Sequence, residues 1–210
     1  MKTKFLLIFA ATFVVSASNA AVYVVEPDNY ADGTVLDHII PPVNLSTAGS
    51  DNRPVSIFHT TASHDGFGYA STGTQVFGAA GVYFFNFGQR LRMDFNAPVS
   101  AISIDFIGGE YSHTEIGRLD AYSSAGVLLG SYITNPRSSG SIETMSVSRS
   151  AGDIAWAVAY VPPNQGSFGR LDNLQFTVVP EPSVAAMLSG AMACFWLQRR
   201  SSLRNGLQKT

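Results

Sequence analysis

The sequence predicts an all-β protein, with an antiparallel β-sandwich at residues 21–178. Three observations support this prediction. Segments of about 5 to 8 residues alternate apolar and polar side chains, as strands with one buried face do. Gly, Pro, Ser and Asn separate these segments, and no stretch between them has the apolar spacing of an amphipathic helix. An N-terminal signal peptide at residues 1–20 and a C-terminal transmembrane helix within residues 179–210 are predicted to flank the sandwich.

The beginning of the chain has the order of features that the secretion machinery recognises. Lys2 and Lys4 precede an uncharged apolar run from Phe5 to Val15, which is typical of a signal peptide. Signal peptidase requires small side chains shortly before the cut, and Ala20 supplies one of them. We therefore expect signal peptidase to cleave between Ala20 and Ala21 after export by the general secretion machinery.

The charge of the chain is unevenly distributed. Residues 21–179 contain seven arginines, no lysine and fourteen acidic residues, which gives a net charge of −7. Nucleic-acid binding needs a positive field to neutralise phosphates, so this acidic region argues against it. The only cysteine is Cys194. The predicted sandwich therefore has no internal disulfide and must be held by its core, for which about 160 residues suffice.

The clearest strands lie in the middle of the chain. Residues 91–95 alternate apolar and charged side chains, and the alternation resumes at residues 102–106 before Gly108 and Gly109 end it. Each segment presents three apolar side chains to one face. Because Asn96-Ala97-Pro98 lies between them, we interpret the two segments as neighbouring antiparallel strands.

A β-hairpin is predicted next. Residues 119–122 and 127–129 are joined by Ser123-Ser124-Ala125-Gly126, a short linker that ends in the residue most tolerant of a positive φ. In residues 154–160, alanines alternate with larger apolar side chains, which indicates close cover by another layer. Further strands are predicted at residues 145–149, 154–160 and 171–178.

An aromatic, glycine-rich stretch at residues 66–88 is open to two interpretations. In one, the rings form a platform on which sugar rings stack, since C–H groups pack well on aromatic faces. In the other, the rings fill the sandwich core, which is the usual place of aromatic side chains in strands. The candidate ligand-binding residues are Tyr69, Tyr111 and His113.

The C-terminal segment has three parts in a fixed order. Pro180-Glu181-Pro182 is followed by uncharged residues from Ser183 to Gln198 and then by Arg199-Arg200. This arrangement resembles the PEP-CTERM sorting signal on exported proteins of certain Gram-negative, often biofilm-forming bacteria. The resemblance implies recognition by an exosortase at the inner membrane, processing near the motif, and delivery to the cell surface or extracellular matrix.

The length of the uncharged stretch leaves two outcomes open for this segment. Sixteen residues in a helix span about 24 Å, which is shorter than a hydrocarbon core of about 30 Å. The two prolines favour an extended, cleavable motif, and the arginines are expected to stay cytoplasmic. Ten residues continue after Arg200, so a permanent C-terminal anchor is the alternative to exosortase processing.

The predicted sandwich resembles the galactose-binding-like jelly rolls that often precede such sorting signals. The resemblance rests on residues 91–107, on the hairpin at 119–129 and on residues 169–176. It implies a jelly-roll-like sandwich, and in such folds an acidic residue of the last strand can help to bind a structural calcium ion. Asp172 is the candidate for that role, and the alternative is that Asp172 caps or braces a turn. No other cofactor is expected.

Familiar catalytic motifs do not occur in the sequence. It contains no Gly-x-Ser-x-Gly elbow, no His-Glu-x-x-His pair and no Gly-x-x-x-x-Gly-Lys loop. His59 and His64 lie near Asp65, and His113 would share a strand face with Glu115. Neither set completes a recognisable metal site, so we interpret these residues as single polar side chains in loops.

Three function classes follow, in decreasing order of support. The first is a non-catalytic surface or matrix protein whose sandwich binds extracellular polysaccharide. The second is a structural or adhesive matrix component that acts by self-association. The third is a secreted hydrolase, motivated by the scattered histidines and by carboxylates such as Glu110 and Glu115, which would have to lie at a glycosidase-like separation.

Overall fold

Ten β-strands and one short 3-10 helix, Pro27–Asn29, make up the regular structure of the described residues. The strands are β1 (Ala21–Val25), β2 (Val43–Ala48), β3 (Thr60–His64), β4 (Gln75–Ala79), β5 (Arg90–Gly108), β6 (Arg118–Tyr122), β7 (Leu128–Ile133), β8 (Ile142–Ser148), β9 (Ile154–Tyr160) and β10 (Gly169–Val178).

The computed structural model describes residues 20–55, 57–79, 81–109 and 113–179. Two residues singled out from the sequence, Glu110 and Tyr111, lie outside these segments. The predicted signal peptide before Ala20 and the sorting signal from Pro180 onward also lie outside them. Across the described segments, no helix is long and apolar enough to cross a membrane.

The strands form two sheets that face each other across one core, and all pairings between strands are antiparallel. Sheet I has the order β8, β5, β10, β4 and β3, with β1 beside the C-terminal half of β10. Sheet II has the order β2, β5, β9, β6 and β7. The described residues thus form the predicted all-β antiparallel sandwich.

The long strand β5 belongs to both sheets. Its first half pairs with β2 and β9, and its second half pairs with β8 and β10. The prediction of two neighbouring antiparallel strands was therefore wrong, because Asn96-Ala97-Pro98 continues the extended chain. The Asn96 N–H donates to the Pro42 carbonyl (2.8 Å), and the Pro98 carbonyl accepts from Val179 N (2.9 Å). Proline has no N–H to donate to a neighbouring strand. It fits at this point of β5 because the strand passes there from one sheet to the other and needs no ladder hydrogen bond from an N–H at that position.

Alternate residues of the strands fill the core, as the sequence pattern predicts. Leu91 and Met93 from sheet II are fully buried, and so are Ile104 and Phe106 from sheet I. Arg92, which lies between the first two, points outward and pairs with the next charged residue of the strand at 2.6 Å. Burial of these side chains supplies the main driving force for folding, at about 1.5–3 kcal/mol for each large apolar residue.

The hairpin and the alanine-rich strand also match their predictions. Strands β6 and β7 pair across a loop in which Gly126 has a φ of 77°. On β9, Ala157 and Ala159 belong to the core, where small side chains allow the sheets to approach closely. Trp156 lies on the opposite face and stacks on Tyr122 with ring centroids 3.9 Å apart.

The aromatic stretch at residues 66–88 does not have one role. Phe77 and Phe85 are fully buried in the core, as one of the two interpretations predicts. Phe67 is 48% exposed and therefore does not fill the core. The stretch supplies rings both to the interior and to the surface near the end of β5.

Candidate functional site

An open cleft of about 800 Å³ lies where three loops meet beside the end of β5. One loop follows β5, the second joins β7 to β8, and the third joins β9 to β10. Five of its eight described lining residues are polar, and none of the eight is Asp, Glu, Lys or Arg. These residues are His113, Thr114, Ile116, Pro136, Ser138, Asn164, Gln165 and Gly166.

Backbone hydrogen bonds hold the three loops together. Glu115 and Arg137 exchange two of them, at 2.9 and 2.8 Å, and thereby join the first loop to the second. The Ile116 N–H donates to the Gln165 carbonyl at 2.9 Å, which joins the first loop to the third. Paired backbone groups of this kind fix the shape of the cleft before any ligand arrives.

Glu115 supports the cleft from below. Its neighbours Thr114 and Ile116 line the cleft, whereas Glu115 is itself fully buried, and its Oε2 accepts a hydrogen bond from Gly109 N at 3.1 Å. A Cβ placed on Gly166 would lie 2.5 Å from the Glu115 Cγ, and Gly166 has a φ of 124°. Glycine alone combines that backbone conformation with so close an approach.

The histidines singled out from the sequence lie in separate places. His113 lines the cleft, but Glu115 is buried beneath it. His59 Nδ1 lies 2.6 Å from Asp37 Oδ2, whereas Asp65 belongs to a buried ion pair. Among the described residues, no group of three or more His, Cys, Asp or Glu side chains is arranged to hold a metal ion.

A buried arginine lies beside the cleft at the end of β5. Arg170 is 1% exposed, and its Nε donates to Asp65 Oδ1 at 2.9 Å. Its Nη1 also donates to the carbonyls of Gly108 and Gly109, at 3.3 and 3.2 Å. A buried guanidinium is tolerated only when it is paired and hydrogen-bonded in this way.

Three aromatic rings surround the Arg170 guanidinium. The ring centroids of Phe67, Tyr69 and Tyr83 lie 5.3 to 5.4 Å from its Cζ, which is within range of a cation–π attraction. Tyr69 also packs against Gly140, in the loop that joins β7 to β8. The structure therefore places two of the candidate ligand-binding residues, Tyr69 and His113, beside the same part of the molecule.

The other polar residues of the cleft were not predicted from the sequence. Ser138, Asn164 and Gln165 stand in loops without any catalytic or binding motif. The one available signal was the turn-forming run Asn164-Gln165-Gly166, in which Asn164 has a φ of 62° and asparagine tolerates that conformation well. Their convergence depends on strand order, which the local sequence does not specify.

Asp172 braces a turn. Its Oδ2 accepts hydrogen bonds from Ser71 N and Ser71 Oγ, both at 2.9 Å, and from Thr72 N at 3.1 Å. Its Oδ1 accepts one from Asn173 N at 2.8 Å. Four donors thus contact the two oxygens of this fully buried carboxylate, as the turn-bracing alternative expects, and calcium binding at Asp172 stays a prediction.

The carboxyl group of Glu26 interacts with that of Asp172. Burial raises the pKa of Glu26 from 4.5 to about 7, against a lowering effect of its hydrogen bond with Thr72, and the negative charge of Asp172 raises it further. The folded state therefore holds a proton at Glu26 more tightly than the unfolded chain does. Its contribution to stability is full below pH 4.5 and is lost as the pH rises to about 7.

Substitution of Glu26 by Gln is expected to remove this pH dependence. Between pH 5 and pH 7 the wild type should lose about 1–2 kcal/mol of unfolding free energy from this group, a value that allows for its partial exposure. Urea denaturation at the two pH values measures the difference. Asp51→Asn, at a carboxylate that is 61% exposed, is the matched control. An equal loss in Glu26→Gln and wild type would contradict the prediction.

Comparison with known proteins gives no family assignment. No protein-family model matches the sequence, and no curated protein matches it. Similar solved structures include two cleaved adhesin domains of Lys-gingipain. The K2 domain has a TM-score of 0.48 and 10% identity over 75% of this chain and 100% of its own. The K1 domain, from Porphyromonas gingivalis W83, has a TM-score of 0.45 and 11% identity over 76% and 99%.

A third similar structure is the enzymatically active domain of tailspike protein 4 from bacteriophage CBA120. It has a TM-score of 0.36 and 12% identity, over 66% of this chain and 20% of its own. At these values the likenesses carry no inference about function.

Proposed function

We propose that this chain is an exported, exosortase-sorted protein of the cell surface or extracellular matrix, whose sandwich binds extracellular polysaccharide without catalysis. The observation that carries the binding proposal is the cleft at the end of β5. Its volume of about 800 Å³ lies within the usual range of ligand sites. Its lining offers uncharged hydrogen-bonding groups, which suit sugar hydroxyls.

The composition of the cleft supports a polysaccharide over an ionic ligand. Ser138, Thr114 and Gln165 each present groups that both donate and accept hydrogen bonds, while Ile116 and Pro136 supply apolar contact. A phosphorylated or carboxylated ligand would need cationic partners, and the described lining contains no lysine or arginine.

Surface rings near the cleft extend the same argument. Phe67 is 48% exposed and stacks on Tyr69 with an interplanar angle of 7°. Rings presented at a surface pack well against the C–H faces of sugars. Because Arg170 fixes these rings from beneath, a sugar chain that leaves the cleft on this side would meet a preformed apolar surface.

Export and sorting are supported by the two ends of the sequence. The N-terminal residues have the features of a signal peptide, and Pro180-Glu181-Pro182 with the residues after it has those of the sorting signal. The acidic composition and the absence of lysine in residues 21–179 accord with an exported protein that does not bind nucleic acid.

The binding proposal is tested with the protein purified from its host and the exopolysaccharide of that host. We expect the double substitution His113→Ala and Gln165→Ala to weaken binding by at least about tenfold, because it removes hydrogen bonds from a preformed site. His64→Ala, at an exposed histidine of β3, is the matched control. Equal affinities of the double variant and wild type would overturn the proposal.

The sorting proposal is tested by the intact mass of the same native preparation. A chain that begins at Ala21 and ends near Pro180 with an added group supports exosortase processing. A chain that begins at Ala21 and ends at Thr210 replaces that proposal with a permanent anchor. A chain that still begins at Met1 contradicts export through a cleaved signal peptide.

Self-association is a second candidate function, favoured by the exposed side chains of β1. Val22 and Val24 are 65% and 55% exposed, and β1 pairs with β10 along one edge. An uncharged edge strand of this kind is a template for pairing with another chain. An apparent molar mass from light scattering that rises with protein concentration would favour this function. In Val24→Lys the apparent mass should stay that of the monomer.

A further inference from the structure

A second cavity, of about 410 Å³, lies beside β2, and none of its described lining residues belongs to the cleft. We call it the β2 pocket and define it by residues 37–38, 44–46, 54–55, 58–59 and 94. It is more enclosed than the cleft and smaller, so it suits one compact ligand unit where the cleft suits an extended one.

Apolar side chains form one side of the β2 pocket and its surroundings. Pro54, Val55 and Phe58 line it, and the Phe58 side chain is 38% exposed. Neighbouring apolar residues also lie open to solvent, with Ile57 at 75% and Ile39 at 47% exposure. Such a concentration of exposed apolar surface around a cavity marks a binding site more often than an ordinary surface does.

Planar polar side chains form the other side, and their own contacts hold them in place. The Asp37 carboxylate contacts His59 Nδ1 at 2.6 Å and accepts a hydrogen bond from Thr60 N at 2.8 Å. This contact fixes the orientation of the imidazole and leaves Nε2 as its second hydrogen-bonding atom. On β2, Asn44 Nδ2 donates to Asn96 Oδ1 at 3.0 Å, which orients the Asn44 amide.

The acidic group contributed by β5 is held in the same manner. Asp94 accepts two hydrogen bonds from Arg92, from Nε at 2.7 Å and from Nη2 at 2.6 Å. The Arg92 guanidinium also lies over the Trp156 ring, 4.1 Å from its centroid. Arg92 is thus committed to other partners, while each Asp94 oxygen retains a further lone pair for a ligand hydroxyl.

Ser46 gives an independent indication that a ligand belongs in the pocket. Its Oγ is buried, and within the described residues it has no hydrogen-bond partner. An unsatisfied buried hydroxyl costs about 1–3 kcal/mol. Because Ser46 lines the β2 pocket, a rotation about its χ1 angle would turn the hydroxyl toward a ligand, whose own hydroxyl groups could then satisfy it.

We propose that the β2 pocket binds a single neutral pyranose ring, at a chain end or side branch of a polysaccharide. The Phe58 ring supplies the apolar face, and His59, Ser46 and Asp94 supply the hydrogen bonds to the ring hydroxyls. Arg92 balances the charge of Asp94, so Asp37 is the carboxylate that disfavours uronic acids, because like charges repel in a partly enclosed site. The proposal takes its ligand class from the proposed function but uses no residue of the cleft.

Two separate sugar sites give the chain a capacity that one site does not. The cleft and the β2 pocket are built from different residues, so one copy of the protein can hold two polysaccharide segments at once. Two sites on one body raise the apparent affinity for a polymer far above that of either site alone. The protein would then cross-link a polysaccharide network.

The test uses the native protein with monosaccharides as probes. Glucose, galactose and mannose are titrated as neutral probes, and glucuronate is titrated as the charged one, with NMR as the readout. We expect millimolar binding of at least one neutral sugar and weaker binding of glucuronate. His59→Ala and Phe58→Ala should each weaken neutral-sugar binding by about tenfold or more, and Ser46→Ala should weaken it without lowering the melting temperature.

Matched variants separate this proposal from the cleft proposal. The control His64→Ala should leave monosaccharide binding unchanged. Monosaccharide binding that is lost in His113→Ala but kept in His59→Ala overturns the β2 pocket proposal, and so does an absence of any binding at millimolar sugar. If the cleft substitutions leave polysaccharide affinity unchanged while His59→Ala weakens monosaccharide binding, the cleft proposal fails and the β2 pocket proposal stands.

Discussion

Substitution of Arg170 by Met is expected to lower the free energy of unfolding by about 3–5 kcal/mol, the usual result of removing one partner of a buried ion pair. The variant leaves Asp65, which is fully buried on its side-chain surface, without its cationic partner. It also removes the donors to the Gly108 and Gly109 carbonyls. Urea denaturation at neutral pH measures the loss.

A double-mutant cycle separates the ion pair from the packing around it. Asp65→Asn alone should also destabilise, because it leaves the guanidinium buried without a counter-charge. Combined with Arg170→Met it should cost less than the two single changes together. Arg53→Met is the matched control, at an arginine whose side chain is 87% exposed. A loss below about 1 kcal/mol in Arg170→Met, as at a surface pair, would refute the prediction.

Substitution of Phe106 by Ala is expected to cost about 3–5 kcal/mol through the cavity that it leaves. Phe106 is fully buried, and two glycines enclose its ring. A Cβ at Gly117 would lie 2.4 Å from the ring, and one at Gly169 would lie 2.1 Å from it. Thermal and urea denaturation measure the loss. Phe58→Ala, at a ring that is 38% exposed, should cost less than about 1 kcal/mol.

A methyl group added at Gly169 tests the same contact with the Phe106 ring. Gly169→Ala should destabilise by about 1–3 kcal/mol, because the added methyl overlaps the Phe106 ring. The double variant Gly169→Ala with Phe106→Leu should recover part of that loss, since leucine vacates the overlapping volume. Equal stabilities of Gly169→Ala and wild type would show that β10 shifts freely, and the close packing described for this part of the core would be wrong.

Local sequence pattern predicted the individual strands but not the way in which β5 joins them. The two-residue alternation at residues 91–95 and 102–106 identified buried faces that the structure confirms. Because proline normally ends a strand, the sequence predicts a break between two strands at Pro98. In the fold it lies where β5 leaves one sheet and enters the other, and strand order of that kind depends on distant pairings.

The candidate sites show the same division between local and distant information. His113 and Tyr69 were singled out because histidine and aromatic side chains often contact ligands. The contact between Asp37 and His59 joins residues 22 positions apart, and no sequence motif predicts it. Asp65 was considered with the neighbouring histidines, but its partner Arg170 is 105 positions away. The chemistry of each side chain can be inferred from the sequence. Which distant side chains come together depends on the order in which the strands pair.

The pairing of β1 with β10 has a mechanical consequence if the chain is tethered at a cell surface, as we propose. Ala21 lies opposite Val178, so both ends of the described unit emerge side by side. Tension applied between these two ends would peel the β1–β10 hydrogen bonds apart one after another, because the bonds of an antiparallel pair lie perpendicular to the strands. A tether at the C-terminal end alone transmits no such peeling force to β1. Shear from a flowing medium would then reach the tether through β10, which is held by β1 on one side and β5 on the other.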